Sequence, residues 1–357
     1  MDWVRGEKLG NGSFGTVNLA VSRSQSSQIP QLMAVKSCGV SVSDSLMNEK
    51  LILDELKDCP EIIRCFGENF TDENGEKLYN VLLEYASGGS LADKVKNCPD
   101  NRLPESEVRR YTKALLKGLN YIHKFGYVHC DIKLQNILMC PDGGVKIADF
   151  GLAKRVGREK VGDSGCELRG TPLYMSPEMA TGNEQGPPAD IWALGCVVVE
   201  MVSGASPWRR FGLAELLMRI GVHGEKPEMP SNLTLEGKDF LGKCFTSDPS
   251  KRWTAEMLLN HPFVDDQEFD GTVTSKGRHH EDHASTSPRC PFDFPDWTIT
   301  SLPSPEYSSK SSSWFLEEAN STTGSKSIPP AERLQGLVSD RLPHWDWSGL
   351  DDWLTVR

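Results

Sequence analysis

Ten cysteines are scattered along the 357 residues, and no two stand in a C-x-x-C pair. Neither a zinc site nor a disulfide framework can therefore be read from their spacing, and free, mostly buried thiols in a reducing compartment are expected. The start, MDWVRGEKLG, has no apolar core of the signal-peptide kind. The longest apolar stretch, Ile191 to Val202, is too short to span a bilayer and carries Glu200, so it reads as a buried helix. Positive charge is also short: 39 Lys and Arg stand against 50 Asp and Glu, a net charge of -11. A broad polyanion-binding surface is excluded on that balance. The chain is expected to be soluble and intracellular, in the cytoplasm, the nucleus or both, with no nucleic-acid partner and no membrane insertion.

Sustained periodicity is missing past Phe263. Residues 265–357 hold 16 Asp and Glu against 8 Lys and Arg, and are rich in Ser, Thr and Pro. Such a stretch cannot bury enough apolar surface to offset chain entropy, so residues 264–357 are expected to form a disordered regulatory or docking tail. Two acidic-aromatic pieces stand out in it, FDFPDW at 292–297 and HWDWSGLDDWL at 344–354. Trp345, Trp347 and Trp353, interleaved with Asp346, Asp351 and Asp352, make a linear motif for a tail-binding protein or for folding back onto the rest of the chain. A solvated tail with stray aromatics is the plain alternative. Ser287-Pro288 and Ser304-Pro305 have the form of proline-directed phosphosites.

The remaining residues are patterned. Val4 to Val21 reads as strand, Gly-rich turn, strand, and LMAVKSC as the next strand after a polar connector. Leu46, Ile52, Leu53 and Leu56 recur at helical spacing. Strands are expected near Ile62–Phe66 and Leu78–Glu84, separated by the turn-like TDENGEK. After Gly88-Gly89 the character becomes helical: Pro104–Lys124, Pro188–Ser203, Leu213–Ile220, Leu235–Phe245 and Thr254–Leu259. A small strand-rich lobe followed by a larger helical lobe results, an α+β chain.

Three constellations carry chemistry. Gly10-x-Gly12-x-x-Gly15, with Val17 after it, is weak alone because dinucleotide-binding folds use a similar string. Those folds place the glycines between strand and helix, whereas TVNLAV here reads as a strand, which favours a hairpin lying over phosphates. Lys36, in Ala34-Val35-Lys36, can pair with α- and β-phosphates, and Glu49 on the next helix can hold it by an ion pair; a lone lysine is more often a surface charge. His129-Cys130-Asp131-x-Lys133-x-x-Asn136 followed by Asp149-Phe150-Gly151 is the strongest. Phosphoryl transfer needs a group to orient the hydroxyl and metal ions to offset phosphate charge. Asp131 suits the first task, Lys133 steadies the migrating group, and Asn136 and Asp149 offer hard oxygen ligands for Mg²⁺. A turn with capping Asp and Asn explains either piece alone, but not both in order after a Gly loop and an Ala-x-Lys strand.

This ordered set resembles the eukaryotic protein kinase family from Trp3 to Phe263. The resemblance implies a bilobal fold over residues 3–263, with an N-lobe of about 3–86 and a C-lobe of about 87–263, and dependence on ATP. It adds Leu9 to the nucleotide-binding set with Gly10, Gly12, Gly15, Val17, Ala34, Lys36 and Glu49. It makes Leu83 the gatekeeper and places Glu84 and Ala86 in the adenine-binding hinge. Glu178 is expected to pair with Arg252, Asp190 to brace the catalytic loop, and Leu53, Phe66, His129 and Phe150 to form an apolar spine. Lys133 and Thr171 stand where Ser/Thr kinases carry such residues. Because Lys36, Asp131, Asn136 and Asp149 are all present, a binding-only pseudokinase is disfavoured; a scaffold role through the tail and a Ser/Thr kinase of another pathway stay open.

The family's common His-Arg-Asp is His129-Cys130-Asp131 here, so the arginine that reads a phosphorylated loop is missing. Glu167 occupies the position four before Thr171, where many kinases carry a phosphosite. Catalysis is therefore expected not to require phosphorylation at Ser164 or Thr171. Trp3-Val4-x-Gly6, GTPLYMSPE, VHCDIKxxNIL and FDFPDW together resemble the MEKK-like branch of MAP kinase kinase kinases, in a plant subgroup. That resemblance implies MAP kinase kinases as protein substrates.

Overall fold

A computed structural model of the protein describes residues 2–12, 15–23, 29–157, 169–182, 185–208 and 211–265. Five antiparallel strands come first: β1 (Trp3–Gly12), β2 (Gly15–Ser22), β3 (Leu32–Gly39), β4 (Cys65–Glu73) and β5 (Glu76–Glu84), in the order β1-β2-β3-β5-β4. Asn74 and Gly75, with φ of 53° and 85°, close the β4–β5 hairpin between the paired Glu73 and Glu76. An Asn-Gly pair suits that turn because its positive φ angles match the twist of the flanking strands. The helix α1 (Asp44–Glu55) connects β3 to β4 and buries Leu46, Glu49, Ile52 and Leu53.

Strand alternation sorts the sheet into two faces. Val17, Ala34, Val81 and Leu83 belong to the large core together with the α1 residues. Ala20, Met33, Val35 and Leu82 form a separate cluster with Trp3 and Phe66. Phe66 therefore does not join the expected spine with Leu53 and Phe150. An irregular register between Cys65 and Gly67 places Cys65 against the large core instead. The strand also starts later than the apolar pattern suggested: Ile62 makes only an isolated bridge to Ile147.

The second lobe is helical: α2 (Leu91–Lys96), α3 (Glu105–Lys124), α4 (Pro177–Ala180), α5 (Pro187–Ser203), α6 (Leu213–Leu217), α7 (Leu235–Cys244) and α8 (Ala255–Leu258). Ser90 and Asp93 start α2 as a capping box, satisfying two end N–H groups that have no partner within the helix. Two small two-stranded antiparallel sheets, β6 (Tyr127–Val128) with β9 (Lys154–Arg155) and, between them in the chain, the hairpin of β7 (Ile137–Met139) with β8 (Val145–Ile147), carry the intervening loops to the lobe boundary. The apolar run of α5 is buried on nearly every side, as its lack of a polar face demands. Gly195 lets it approach α7, since a Cβ there would lie 2.7 Å from the Phe245 ring. Where one helix to Ile220 was expected, α6 passes into a wider π-type turn over Met218–Val222. Among the described residues no helix is long and apolar enough to cross a membrane.

Candidate active site

Between the lobes lies a cleft roofed by β1–β3 and floored by the loops after β6 and β8. The hairpin above it closes on Gly12 paired with Gly15. Gly15 has φ of 148°, and a Cβ there would meet the Ser37 carbonyl at 2.3 Å, so only glycine lets β2 lie this close to β3. Gly10 sits in the same ladder opposite Val17. Gly12, Val17, Ala34 and Leu83 line the cleft, while Leu9 and Ala86 pack, half-buried, against the adjoining core.

Lys36 projects from β3 into this cleft. Its Nζ lies 2.6 Å from Glu49 Oε2 on α1 and 2.7 Å from Asp149 Oδ1, with the lysine side chain only 4% exposed. Burial works against the ammonium, yet Asp149 and Glu49 outweigh it and hold its pKa above the ordinary lysine value. Glu49 also accepts the Phe150 backbone N–H at 3.2 Å, so the helix, the strand and the segment after β8 are tied through one carboxylate. Glu84 turns its carboxylate away, to Lys146 Nζ at 2.8 Å and the Arg64 backbone N–H at 3.1 Å, so its main chain is what faces a ligand.

The loop after β6 is held from beneath by Asp190 in the first turn of α5. Asp190 Oδ2 accepts the His129 backbone N–H at 2.9 Å and Oδ1 accepts that of Cys130 at 3.0 Å. Cys130 adopts the left-handed conformation, φ 69°, and burial pushes its thiol pKa well up, so a small inert residue suffices there. His129 is fully buried, and its pKa is lowered by burial. Its Nδ1 accepts the Asp131 N–H at 3.3 Å, leaving Nε2 to donate to the Ala148 carbonyl at 3.2 Å. The ring meets Phe150 edge-on, centroids 4.7 Å apart.

These anchors leave Asp131 at the edge of the cleft, in the smaller pocket adjoining it, with both oxygens oriented. Oδ1 accepts the Thr171 hydroxyl at 2.7 Å and the Thr171 N–H at 3.0 Å. Oδ2 accepts from Asn136 Nδ2 at 3.0 Å and lies 2.8 Å from Lys133 Nζ. Lys133 in turn donates to Thr171 Oγ1 at 3.0 Å. Gly170, φ 103°, makes this approach possible: a Cβ there would meet the Cys130 carbonyl at 2.4 Å. Asn136 gives its amide to Asp131, which leaves its carbonyl oxygen available to a cation, and Asp149, φ 66°, follows the Ala148 N–H that bonds Asn136 O at 2.9 Å. A fixed proton acceptor, a nearby ammonium and two hard oxygen donors beside a buried lysine are equipped to orient a hydroxyl against a polyphosphate.

Comparison with known proteins decides the assignment. The protein kinase domain family matches residues 3–264. Mitogen-activated protein kinase kinase kinase 20 of Arabidopsis thaliana is 50% identical over 367 aligned residues that cover all of both chains. Mitogen-activated protein kinase kinase kinases 17 and 18 of the same plant are 44% identical over 74% of this chain and 70% of the relative, and 38% identical over 100% and 99%.

The chain belongs to the protein kinase family. It is a serine/threonine kinase of the mitogen-activated protein kinase kinase kinase type and uses ATP.

In this kinase the residues singled out by motif gather at one cleft, although Leu9, Gly10, Gly15 and Ala86 frame it rather than line it, and Asp131 lines a smaller pocket that shares Thr171 and Tyr174 with it. Sequence reasoning missed Ile63, Gln135, Tyr174 and Glu200 on its wall. Glu200 had a visible signal, being the charge inside an apolar run; the others carried none. The Tyr174 hydroxyl donates to Glu200 Oε2. Ser164, Glu167, Ser287, Ser304, Trp345, Trp347 and Trp353 lie outside the described residues.

Proposed function

We propose that this kinase moves the γ-phosphoryl of Mg-ATP onto Ser or Thr hydroxyls of a MAP kinase kinase, acting in the cytoplasm, the nucleus or both. The observation that carries the chemistry is the double engagement of Asp131 by Thr171 and by the Asn136–Lys133 pair, which fixes a proton acceptor next to the Lys36–Glu49–Asp149 cluster. In this reading Lys36 holds the α- and β-phosphates, Glu49 fixes Lys36, and Asp131 takes the proton of the attacking hydroxyl. Lys133 neutralises the migrating group. The glycines of β1–β2 lay backbone over the phosphates, and the Glu84–Ala86 backbone meets the adenine.

Asn136 Oδ1 and the Asp149 carboxylate would hold Mg²⁺, which supplies charge neutralisation on the phosphates. The donor set fits such an ion: among the described residues no three His, Cys, Asp or Glu cluster as a self-contained metal site, and magnesium takes most of its ligands from phosphate and water. The lobes are assigned to residues 3–86 and 87–263, and residues 264–357 to an appended tail. The substrate class rests on the names of the full-length relatives.

The test is phosphate incorporation from labelled ATP into a panel of catalytically dead MAP kinase kinases, with Lys36→Met alongside. Incorporation into one or more of them, lost in the variant, is expected. Labelling of bystander proteins such as casein with none in the panel would leave a Ser/Thr kinase of another pathway.

A further inference from the structure

Arg5, the variable position of Trp3-Val4-x-Gly6, does not line the cleft. It works on the far face of the sheet: its partner Ser37 follows the cleft-facing Lys36 in β3, and alternation sends those two side chains to opposite faces. One guanidinium there bonds a side chain on each of the other four strands. Nη1 donates to Ser37 Oγ on β3 at 2.9 Å and to Asn18 Oδ1 on β2 at 3.4 Å. Nη2 donates to Asn80 Oδ1 on β5 at 2.8 Å and to Glu73 Oε1 on β4 at 2.9 Å, and Nε donates to Glu73 Oε2 at 2.9 Å. All five guanidinium N–H groups are thereby used. The acceptors are tied to one another as well. Ser37 Oγ donates to Asn80 Oδ1 at 2.6 Å, Asn80 Nδ2 to Thr71 Oγ1 at 2.9 Å, and Thr71 Oγ1 to Glu73 Oε1 at 2.8 Å. The bond from Arg5 holds the Glu73 carboxyl below the ordinary carboxylate value.

β1 and β4 are the two edges of this sheet. Laid flat, they would stand about 19 Å apart, beyond the reach of one side chain. Twist brings them together, and the paired Arg5–Glu73 bonds close the gap. Beside this clasp Trp3 packs with Ile29 and Phe66 on Ala20, Met33, Val35 and Leu82, its ring 5.2 Å from the guanidinium. Towards the cleft the pairing of β1 with β2 is irregular twice, between Arg5 and Lys8 and between Lys8 and Gly10. Such irregularities disrupt the ladder locally. The glycine end of the hairpin is thus joined to its base through an irregular stretch of β1, and the base is what Arg5 fixes.

We propose that Arg5 is a positioning residue for the nucleotide: by clasping the two edge strands it holds the base of the β1–β2 hairpin, and with it the Gly10–Gly12 backbone over the phosphates. A fully satisfied polar network of this kind rigidifies what it joins. The inference rests on the reading of this hairpin as a phosphate cover, and adds what keeps the cover in place. It does not depend on which protein the kinase phosphorylates.

Calorimetric titration of the full-length protein with Mg-ADP and with adenosine tests it, because adenosine lacks the phosphates that the hairpin covers. Arg5→Met is expected to weaken Mg-ADP binding about tenfold and to leave adenosine binding within about twofold. Arg5→Lys keeps the charge without the paired grip and should fall between parent and Arg5→Met. Glu73→Gln keeps the shape without the charge and should weaken Mg-ADP about threefold. Added to Arg5→Met it should cost nothing more, since the two residues act through one contact. Equal losses of Mg-ADP and adenosine would show that Arg5 only holds the lobe together, and would overturn the proposal. So would unchanged Mg-ADP binding in Arg5→Met, or additive losses in the double variant. A parent protein that binds adenosine as tightly as Mg-ADP would instead remove the phosphate-cover reading itself, and this inference with it. Should Arg5→Met fail to fold, Arg5→Lys and Glu73→Gln carry the same comparison of the two ligands.

Discussion

Two buried ion clusters in this molecule use the same chemistry to opposite ends. In the C-lobe Arg252 grips Glu178 through two parallel bonds of 2.7 and 2.9 Å, and its remaining donors reach the carbonyls of Thr246 and Pro188. The arginine side chain is 0% exposed and sits 5.2 Å over the Trp192 ring. At the lobe boundary Lys36 also meets carboxylates, but one of them, Asp149, stays 26% exposed at the cleft. The enclosed cluster locks the end of α4 to the base of the C-lobe. The open one places charge where a ligand can reach it. Burial of both partners marks a structural clamp, and burial of one beside a cleft marks a working site.

The largest expected effect concerns the open cluster. Lys36→Met should cut phosphate transfer by about 10²–10³-fold or more, as removal of one preorganised electrostatic group does. Its thermal unfolding should move less than its activity, because Asp149 meets water at the cleft, and Glu49, although buried, keeps the Phe150 N–H and is biased by burial toward taking up a proton. Arg252→Met should do the reverse in stability. Leaving Glu178 enclosed without its partner is expected to cost about 3–5 kcal/mol, on the order of 10 °C in Tm for a domain of this size. Equal Tm losses in calorimetry of the two variants would erase the distinction drawn between the clusters.

Much of this was legible in the residues, for a physical reason. Lys36, Asp131, Asn136 and Asp149 must carry particular functional groups in a fixed chain order, and Gly15 must be glycine where the backbone of β2 meets that of β3. Such constraints survive as letters. Phe66 was misplaced because its side depends on the irregular register after Cys65, which no period-two pattern encodes. Tyr174 went unnoticed since its partner lies 26 residues away on α5, and proximity of that range is a product of packing. Glu84 lines the cleft, and the turn of its carboxylate to Lys146 follows from β8 lying alongside, which its own letter does not encode.

A smaller effect probes the joint between Thr171 and Asp131. Gly170→Ala would put a Cβ 2.4 Å from the Cys130 carbonyl at a φ of 103°, which no small side-chain movement relieves. A backbone cost of about 1–3 kcal/mol is expected. The turnover number should fall more than the apparent affinity for ATP, since the Lys36 cluster is not touched. An affinity loss with unchanged turnover would mean that Thr171 does not orient Asp131.

Glu200 breaks the pattern of both clusters, because the partner shown for its carboxylate is the Tyr174 hydroxyl rather than a cation. Burial pushes its pKa from 4.5 up to about 7, and the tyrosine bond only partly offsets this. The folded chain therefore holds this proton more tightly than the unfolded chain does. Below pH 4.5 both states are protonated and the group costs nothing. Between pH 4.5 and 7 stability is lost progressively, and above 7 the loss is complete. The gap corresponds to at most about 3 kcal/mol, and less for a side chain not wholly enclosed. Glu200→Gln keeps an acceptor for Tyr174 without a charge. It should match the parent protein in Tm near pH 4.5 and exceed it by a few degrees near pH 8. A difference that stays flat across that range would show that Glu200 is solvated like a surface carboxylate, and that a buried acid without a cation is not what sets this wall of the cleft apart from the two paired clusters.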